Sequence, residues 1–388
     1  MRYYNPDGGV VIKSWCNNPE EGCIKQAENL ARLPFVFKQV CLMPDTHQGY
    51  GMPIGGVLAT KGVIIPNAVG VDIGCGMCAV RTSLTDLDRE TLTKIMGGIR
   101  EVVPVGFAHQ KEAQDESLMP KENMSLQCQI IIQEYGSALK QLGTLGGGNH
   151  FIEIQRGNDG FVWIMIHSGS RNLGLKSAKF FNEEAVRINE RYFSRVPKEW
   201  ELAFLPTDSD VGDEYENAMY YCVDFAYANR KLMMDNISKV FSSVASGVLF
   251  GEMINIAHNY ATQENHFGEN VWVHRKGATL AREGTIGIIP GSQGTKSYIV
   301  RGKGNPESFM SCSHGAGRKM GRKEAQRTLD LETEKAALDA KGIVHSVRNV
   351  KDLDEAPGSY KDIDVVMKEQ EDLVDILVEL TPMGVIKG

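Results

Sequence analysis

The glycines of this chain gather beside side chains that can do chemistry, and that placement restricts the fold more than any other feature. Of 388 residues 41 are glycine, and many fall in Asp72-Ile73-Gly74-Cys75-Gly76, Gly146-Gly147-Gly148-Asn149-His150, His167-Ser168-Gly169-Ser170-Arg171 and His314-Gly315-Ala316-Gly317-Arg318. Glycine weakens the interior of helices and strands, and belongs where the backbone must turn sharply or lie close to another group. Stretches so far apart in sequence, each pairing glycine with an ionisable side chain, point to loops that converge on something needing backbone clearance.

The length excludes a small disulfide-stapled scaffold and allows one large core or two. Hydrophobic residues at 42% and charged residues at 23% are ordinary for a globular chain. No apolar run approaches the roughly 18 residues that span a bilayer, so no membrane partner is expected. Met1-Arg2-Tyr3-Tyr4-Asn5-Pro6-Asp7 lacks the charged-then-apolar signature of a secretion signal. The expected location is the cytoplasm, where cysteines 16, 23, 41, 75, 78, 128, 222 and 312 stay as thiols. A net charge of −7 argues against coating nucleic acid through bulk positive charge, but leaves room for a local basic cleft.

Short apolar runs over residues 34–82 predict a sheet, with Val36-Phe37, Val57-Leu58-Ala59, Val63-Ile64-Ile65 and Cys78-Ala79-Val80 as strands. Ala68-Val69-Gly70-Val71 reads as a further strand that delivers Asp72 and Cys75 from its end. Phe151-Ile152-Glu153-Ile154 and the run 161–166 bracket Gly-Asn-Asp-Gly at 157–160, a hairpin pattern. Strand patterns return at 271–273, 286–289 and 297–300. Helical spacing covers 86–102, the end of 112–142, 176–193 and 215–248, followed by a charged helix over 322–341 and a last one over 364–379 closed by Pro382. The simplest architecture is a single large α+β domain over 1–388, with mixed and antiparallel sheets around a central metal cleft and a helical insertion at about 176–248.

Asp72, Cys75, His150, His167 and His258 all sit near glycine, asparagine or arginine. Taken singly, each histidine, like His274, fits a structural role better than a ligand's. Together, carboxylate, thiolate and imidazole suit a transition ion such as Mn, Fe, Co or Zn better than Mg or Ca, which prefer oxygen alone. Cys75-Gly76-Met77-Cys78 also matches Cys-x-x-Cys, a redox or half-zinc pattern, but no second pair stands at zinc-site spacing. His314, followed by Gly-Ala-Gly, is sterically open and can serve as nucleophile or acid–base, with Arg318 and Arg322 placed to hold phosphate. Pro290-Gly291-Ser292-Gln293-Gly294-Thr295-Lys296-Ser297 has two residues between its glycines where a Walker loop has four, so any nucleotide is held another way.

Met43-Pro44-Asp45-Thr46-His47-Gln48-Gly49-Tyr50-Gly51, Val71-Asp72-Ile73-Gly74-Cys75-Gly76, Gly146-Gly147-Gly148-Asn149-His150-Phe151, His167-Ser168-Gly169-Ser170-Arg171, His274-Arg275-Lys276-Gly277-Ala278 and His314-Gly315-Ala316-Gly317-Arg318 together resemble the RtcB family of RNA ligases, in family order and over essentially the whole chain. The resemblance implies a GTP- and Mn(II)-dependent ligase that joins an RNA 3′-phosphate, or a 2′,3′-cyclic phosphate after hydrolysis, to a 5′-hydroxyl end in RNA repair or tRNA splicing. By that resemblance His314 takes GMP from GTP and passes it to the RNA 3′-phosphate, with Asn149 and Arg318 as further catalytic groups. Asp72, Cys75 and His150 hold one manganese ion; Cys75, His167 and His258 hold a second. The nucleotide lies against Asn149, Phe151, Glu153, Ser292, His314, Gly315, Ala316, Gly317, Tyr360 and Lys387, while Arg171, Lys276 and Arg322 contact phosphate or RNA backbone. RNA ends are the implied partner, with an archease-like protein as activator. One position departs: Gln293 stands where methionine is expected, which would alter guanosine packing. Two rivals use the same residues, a metal-dependent RNA phosphoesterase needing no guanylated intermediate and a catalytically silent RNA-binding paralogue.

Overall fold

The computed structural model describes residues 1–121 and 127–388. Two large sheets carry the fold among these residues. The first is mixed and runs in the order Arg2–Tyr4, Val11–Ser14, Val36–His47, Ile54–Thr60, Glu269–Lys276, Asn259–His266, with Val11–Ser14 parallel to Val36–His47 and the other neighbours antiparallel. The second is antiparallel throughout: Ile254–Ala257, Gly76–Arg81, Val162–Ser168, Phe151–Gly157, Val374–Lys387, Ser297–Gly302, Ile286–Ile289. The domain is therefore α+β with mixed and antiparallel sheets, and the hairpin expected around 157–160 joins Phe151–Gly157 to Val162–Ser168.

Helices Arg171–Arg191 and Asp210–Val244 occupy the stretch expected to be helical between about 176 and 248. Ser209 caps the second by accepting a hydrogen bond from Gly212 N at 3.2 Å, satisfying an otherwise orphaned first-turn amide. Its first half packs Tyr215, Met219, Cys222 and Phe225 against the helix Arg171–Arg191, and its second half packs Met233, Ile237 and Phe241 over the antiparallel sheet beside the helix Arg89–Val102. Each fully buried side chain of that size contributes roughly 1.5–3 kcal/mol through removal of apolar surface from water. The helix is thereby fixed to the sheet that carries the site.

Four expectations change. The run 68–71 is no strand: Pro66 starts a one-turn helix, Pro66–Val69, its fixed φ suited to a first helical turn, and Asp72 follows as a loop residue. The charged stretch 322–341 is two helices, Arg322–Thr328 and Leu331–Ala340, because Asp330 leaves helical geometry and caps the second through Thr333 N at 2.9 Å. The final helix stops at Lys368, after Ile363–Lys368, and Val374–Lys387 is a long strand paired on both sides. Tertiary pairing overrides a local pattern that leucine and glutamate make look helical, and Pro382 falls beside a register shift, where an irregular ladder tolerates a residue without an amide hydrogen. Cys75 and Cys78 do not form a unit: Cys78 points into the helix-facing core with Sγ 4.0 Å from Arg230 O, and burial pushes its thiol up to about 12. The helix expected at the end of 112–142 is Gln129–Gln141; residues 122–126 of that stretch lie outside the described residues.

Candidate functional site

Strand register builds the site. In the antiparallel sheet Gly76 lies opposite both Ser168 and Ala257, and His167 lies opposite Phe151. Residues adjoining those ends, Cys75, His258 and His150, therefore meet beside His167 at one edge of the sheet. His258 N donates to Cys75 O at 2.8 Å, and Asn259 Nδ2 donates to Asp72 O at 3.0 Å, tying the loop 72–75 to the same edge.

Two donor sets share the thiol. One ligand atom each from Asp72, Cys75 and His150 lie within 4.8 Å of one another, as do those from Cys75, His167 and His258. The hydrogen bonds behind them fix the tautomers. His150 Nδ1 contacts Leu145 O at 3.0 Å and His167 Nδ1 contacts Asn149 O at 3.2 Å; a carbonyl only accepts, so both Nδ1 atoms carry the proton and both Nε2 atoms present bare lone pairs. Those lone pairs face the other ligand atoms: His150 Nε2 lies 3.1 Å from Asp72 Oδ2, and His167 Nε2 lies 3.3 Å from Cys75 Sγ and 3.4 Å from His258 Nε2. Two imidazole lone pairs, a carboxylate and a thiol thus converge on one region, and a cation would satisfy them together. The donor set thus fits metal ions, and mixed nitrogen, sulfur and oxygen suits a transition ion. Burial holds the His167 and His258 imidazoles well below their usual range, which keeps them neutral and able to ligate. Burial, with the Asp72 carboxylate, holds the Cys75 thiol well above its usual value, so a bound ion would displace its proton.

Arginines explain the glycine loop. A Cβ on Gly146 would collide with the Arg171 guanidinium, and one on Gly148 would come 2.7 Å from Arg322 Nη2. Arg171 is held by Thr144 Oγ1 at 3.1 Å and Gly106 O at 3.3 Å.

His314 follows the strand Ser311–Ser313, and its ring centroid is 4.8 Å from that of His258. Asp45 Oδ2 accepts from His314 Nδ1 at 2.6 Å, from His314 N at 3.1 Å and from Gly315 N at 3.2 Å. The imidazole therefore carries its hydrogen on Nδ1 and exposes a lone pair on Nε2, the requirement for a nucleophile. Gly317, at φ +73, is required because a Cβ would strike Asp45 O. His47 contacts Asp45 O through Nδ1 at 3.0 Å and lines the same cleft, its imidazole pushed down to about 4 by burial.

The cleft encloses about 730 Å³, lined by Asn149, Phe151, His167, His314, Arg318 and Tyr360 among others. Beyond that wall Glu355 gathers the polar groups: Arg318 Nη1 at 3.0 Å, Arg322 Nε at 3.2 Å, Lys387 Nζ at 3.6 Å and the Tyr360 hydroxyl. Lys387 Nζ also lies 5.5 Å from the Phe151 ring centroid. Gln293 donates through Nε2 to Glu355 O at 2.8 Å, so the departing residue anchors this cluster. Glu153 is buried, accepts from Gln155 Nε2 at 2.6 Å, and burial pushes its carboxyl up to about 8. Ser292 is buried with its hydroxyl 3.0 Å from Thr295 Oγ1.

Other expected residues stand apart from the cleft surface. Lys276 is buried and its Nζ donates to Tyr50 O at 2.6 Å and Asn67 O at 2.9 Å; burial pushes it down to about 7. His274 is structural: Nε2 accepts from Ile65 N at 3.0 Å while Nδ1 faces Leu58 O at 3.3 Å.

Asp45, Glu355, Asn229 and Arg230 escaped assignment from sequence. Asn229 accepts from Gly143 N and Thr144 N and donates to Gly169 O, while Arg230 Nη1 donates to Gly74 O and Ser168 O, so one turn of the helix Asp210–Val244 clamps three ligand-bearing loops. Their signal was present: an amide and a guanidinium standing in an apolar helical stripe between Ala226 and Met233.

The family model described as tRNA-splicing ligase RtcB matches residues 26–129 and 122–388. The chain belongs to the RtcB family. The RNA-splicing ligase RtcB of Escherichia coli strain K12 is 40% identical over 400 residues, covering 97% of each chain. The tRNA-splicing ligase RtcB of Thermococcus kodakarensis is 31% identical, covering 95% of this chain and 92% of the relative. The same-named RtcB of Pyrobaculum aerophilum is 33% identical over 94% of this chain and 91% of its own. Among the described residues no helix of this RtcB chain is long and apolar enough to cross a membrane.

Proposed function

We propose that this chain is a GTP- and Mn(II)-dependent RNA ligase of the cytoplasm, joining 3′-phosphate or 2′,3′-cyclic phosphate ends to 5′-hydroxyl ends. The observation that carries it is His314, its Nε2 lone pair set by Asp45 and its ring packed against a histidine of the paired donor sets. A phosphoesterase needs the donors but has no use for a further imidazole oriented as a nucleophile.

In this reading His314 Nε2 attacks the α-phosphorus of GTP, a nitrogen–phosphorus bond forms and pyrophosphate leaves. An oxygen of the RNA 3′-phosphate then attacks the same phosphorus and returns the electron pair to His314. The 5′-hydroxyl attacks the RNA 3′-phosphorus, losing its proton, and GMP leaves. Asp72, Cys75, His150, His167 and His258 would hold the ions, which supply charge stabilisation to the meeting phosphates. Asn149, its backbone carbonyl committed to His167, would turn its side-chain amide to phosphate. Phe151 and Tyr360 would flank the guanine, Glu153, Ser292 and Lys387 would read its edge, and Gly315, Ala316 and Gly317 leave room beside His314. Arg318 and Arg322 would meet phosphate, Arg171 would act through the glycine loop it packs against, and Lys276 through the loop it holds.

The test is incubation with Mn(II) and GTP labelled at the α-phosphate, followed by denaturation. Acid-labile, alkali-stable label absent from His314→Ala is expected; cleavage of cyclic phosphate without label would favour the phosphoesterase.

A further inference from the structure

The cleft lining also includes Gln48, Tyr50 and Ile54, which the reading above leaves without an occupant. Tyr50 is 71% exposed, and among the described residues no ring contact and no hydroxyl hydrogen bond holds its side chain. Its backbone is held from several directions. Tyr50 O accepts from the buried Lys276 ammonium at 2.6 Å and from Met52 N at 2.7 Å. Gly49 exchanges two hydrogen bonds with the Gln26 amide, at 3.2 and 2.6 Å, and Gly51 N donates to Glu201 Oε2 at 3.2 Å. Gly51 has φ +64, and a Cβ there would sit 2.6 Å from Glu201 O.

A buried lysine, an amide and a carboxylate from distant parts of the chain thus fix a short loop whose tyrosine, among the described residues, has no ring contact and no hydroxyl hydrogen bond. Such fixing contributes nothing to a ring in water, but it removes the ordering cost of anything that lands on the ring. A nucleobase is the matching occupant, because every base has a π face and stacks on an aromatic side chain whatever its sequence. Charge points the same way: the cations Arg318, Lys319 and Arg322 outnumber the carboxylates Glu20 and Glu324 in the lining, which suits a phosphate-bearing chain.

We infer that Tyr50 is the stacking platform for the nucleobase of an RNA end held beside His314. This rests on the ligase reading and adds a contact that sets affinity for the end without reading its sequence.

The experiment measures ligation by the full chain with Mn(II) and GTP, varying RNA. Tyr50→Ala raises KM for RNA about 5- to 150-fold, the range of one lost base–aromatic stack, while Tyr50→Phe stays within about threefold of wild type. Tyr192→Ala, removing a tyrosine 72% exposed outside the cleft lining, leaves KM unchanged. RNA abasic at the end that Tyr50 serves binds wild type as weakly as Tyr50→Ala binds intact RNA, and the two losses do not add. The inference is overturned by a Tyr50→Ala KM within twofold of wild type, by Tyr50→Phe as damaging as alanine, or by a full alanine penalty with both the abasic 3′ and the abasic 5′ end. Label uptake by wild-type His314 reports on the ligase reading separately: no label sinks that reading, whereas label without a Tyr50 effect sinks only this inference.

Discussion

Asp45→Asn isolates the orientation of His314 from its presence. Asp45 is fully buried, and Oδ2 accepts three hydrogen bonds while Oδ1 has no partner among the described residues. If the amide oxygen takes the Oδ2 place, the contacts survive as neutral ones. A charge-assisted bond contributes roughly 1.5–3 kcal/mol and a neutral one roughly 0.5–1.5, so about 1–1.5 kcal/mol is lost, close to tenfold in rate. If the amide nitrogen faces the ring, two donors collide, the hydrogen leaves Nδ1, and Nε2 loses the lone pair that attacks. The loss then moves toward the roughly 10⁴-fold known for an aspartate-to-asparagine change that spoils a catalytic tautomer. The assay is single-turnover transfer of α-phosphate label to His314, with the thermal unfolding midpoint followed alongside. A folded Asp45→Asn protein labelling within twofold of wild type would refute the reasoning.

Metal stoichiometry gives a second check: by elemental analysis wild type retains two Mn(II), Asp72→Ala and His258→Ala one, and Cys75→Ala neither, because both donor sets use that thiol; full occupancy in Cys75→Ala contradicts the shared ligand. Glu153 titrates near 8 when folded and near its ordinary value of about 4.5 when unfolded, so between those values the unfolded state has lost the proton the folded state keeps, and stability falls as pH rises. Glu153→Gln therefore raises the thermal midpoint relative to wild type at pH 8 and not at pH 4, and parallel midpoint curves would count against it. Gln293→Met loses the bond to Glu355 O but also a buried Oε1 that has no partner among the described residues, so stability changes by less than about 1 kcal/mol while KM for GTP rises several-fold in the labelling assay.

Sequence patterns reached the parts of this fold whose cause is local. The hairpin 151–168 alternates around a glycine-bounded turn, and the helix Asp210–Val244 repeats its apolar residues for ten turns or so, so each declares itself in one stretch. The strand Val374–Lys387 could not, because its identity comes from Phe151–Gly157 and Ser297–Gly302 on either side, and an isolated run of leucine, valine and glutamate is ambiguous. The same division holds within the site. His314 was legible from its glycines, whereas Asp45 lies 269 residues away and acquires its part only when the folded sheets place it under the ring. Glu355 is equally silent in sequence, an ordinary acid in a short turn until four groups close on it.

The chain passes from the antiparallel sheet to the mixed one at a single residue, since Ile254–Ala257 ends, His258 intervenes and Asn259–His266 begins. An ion on that imidazole would consequently be a rivet through the seam between two β layers. Slippage of either layer is felt first as weakened metal retention, well before the hydrophobic interior opens, and chelators should loosen the seam in a protein whose helices are still intact.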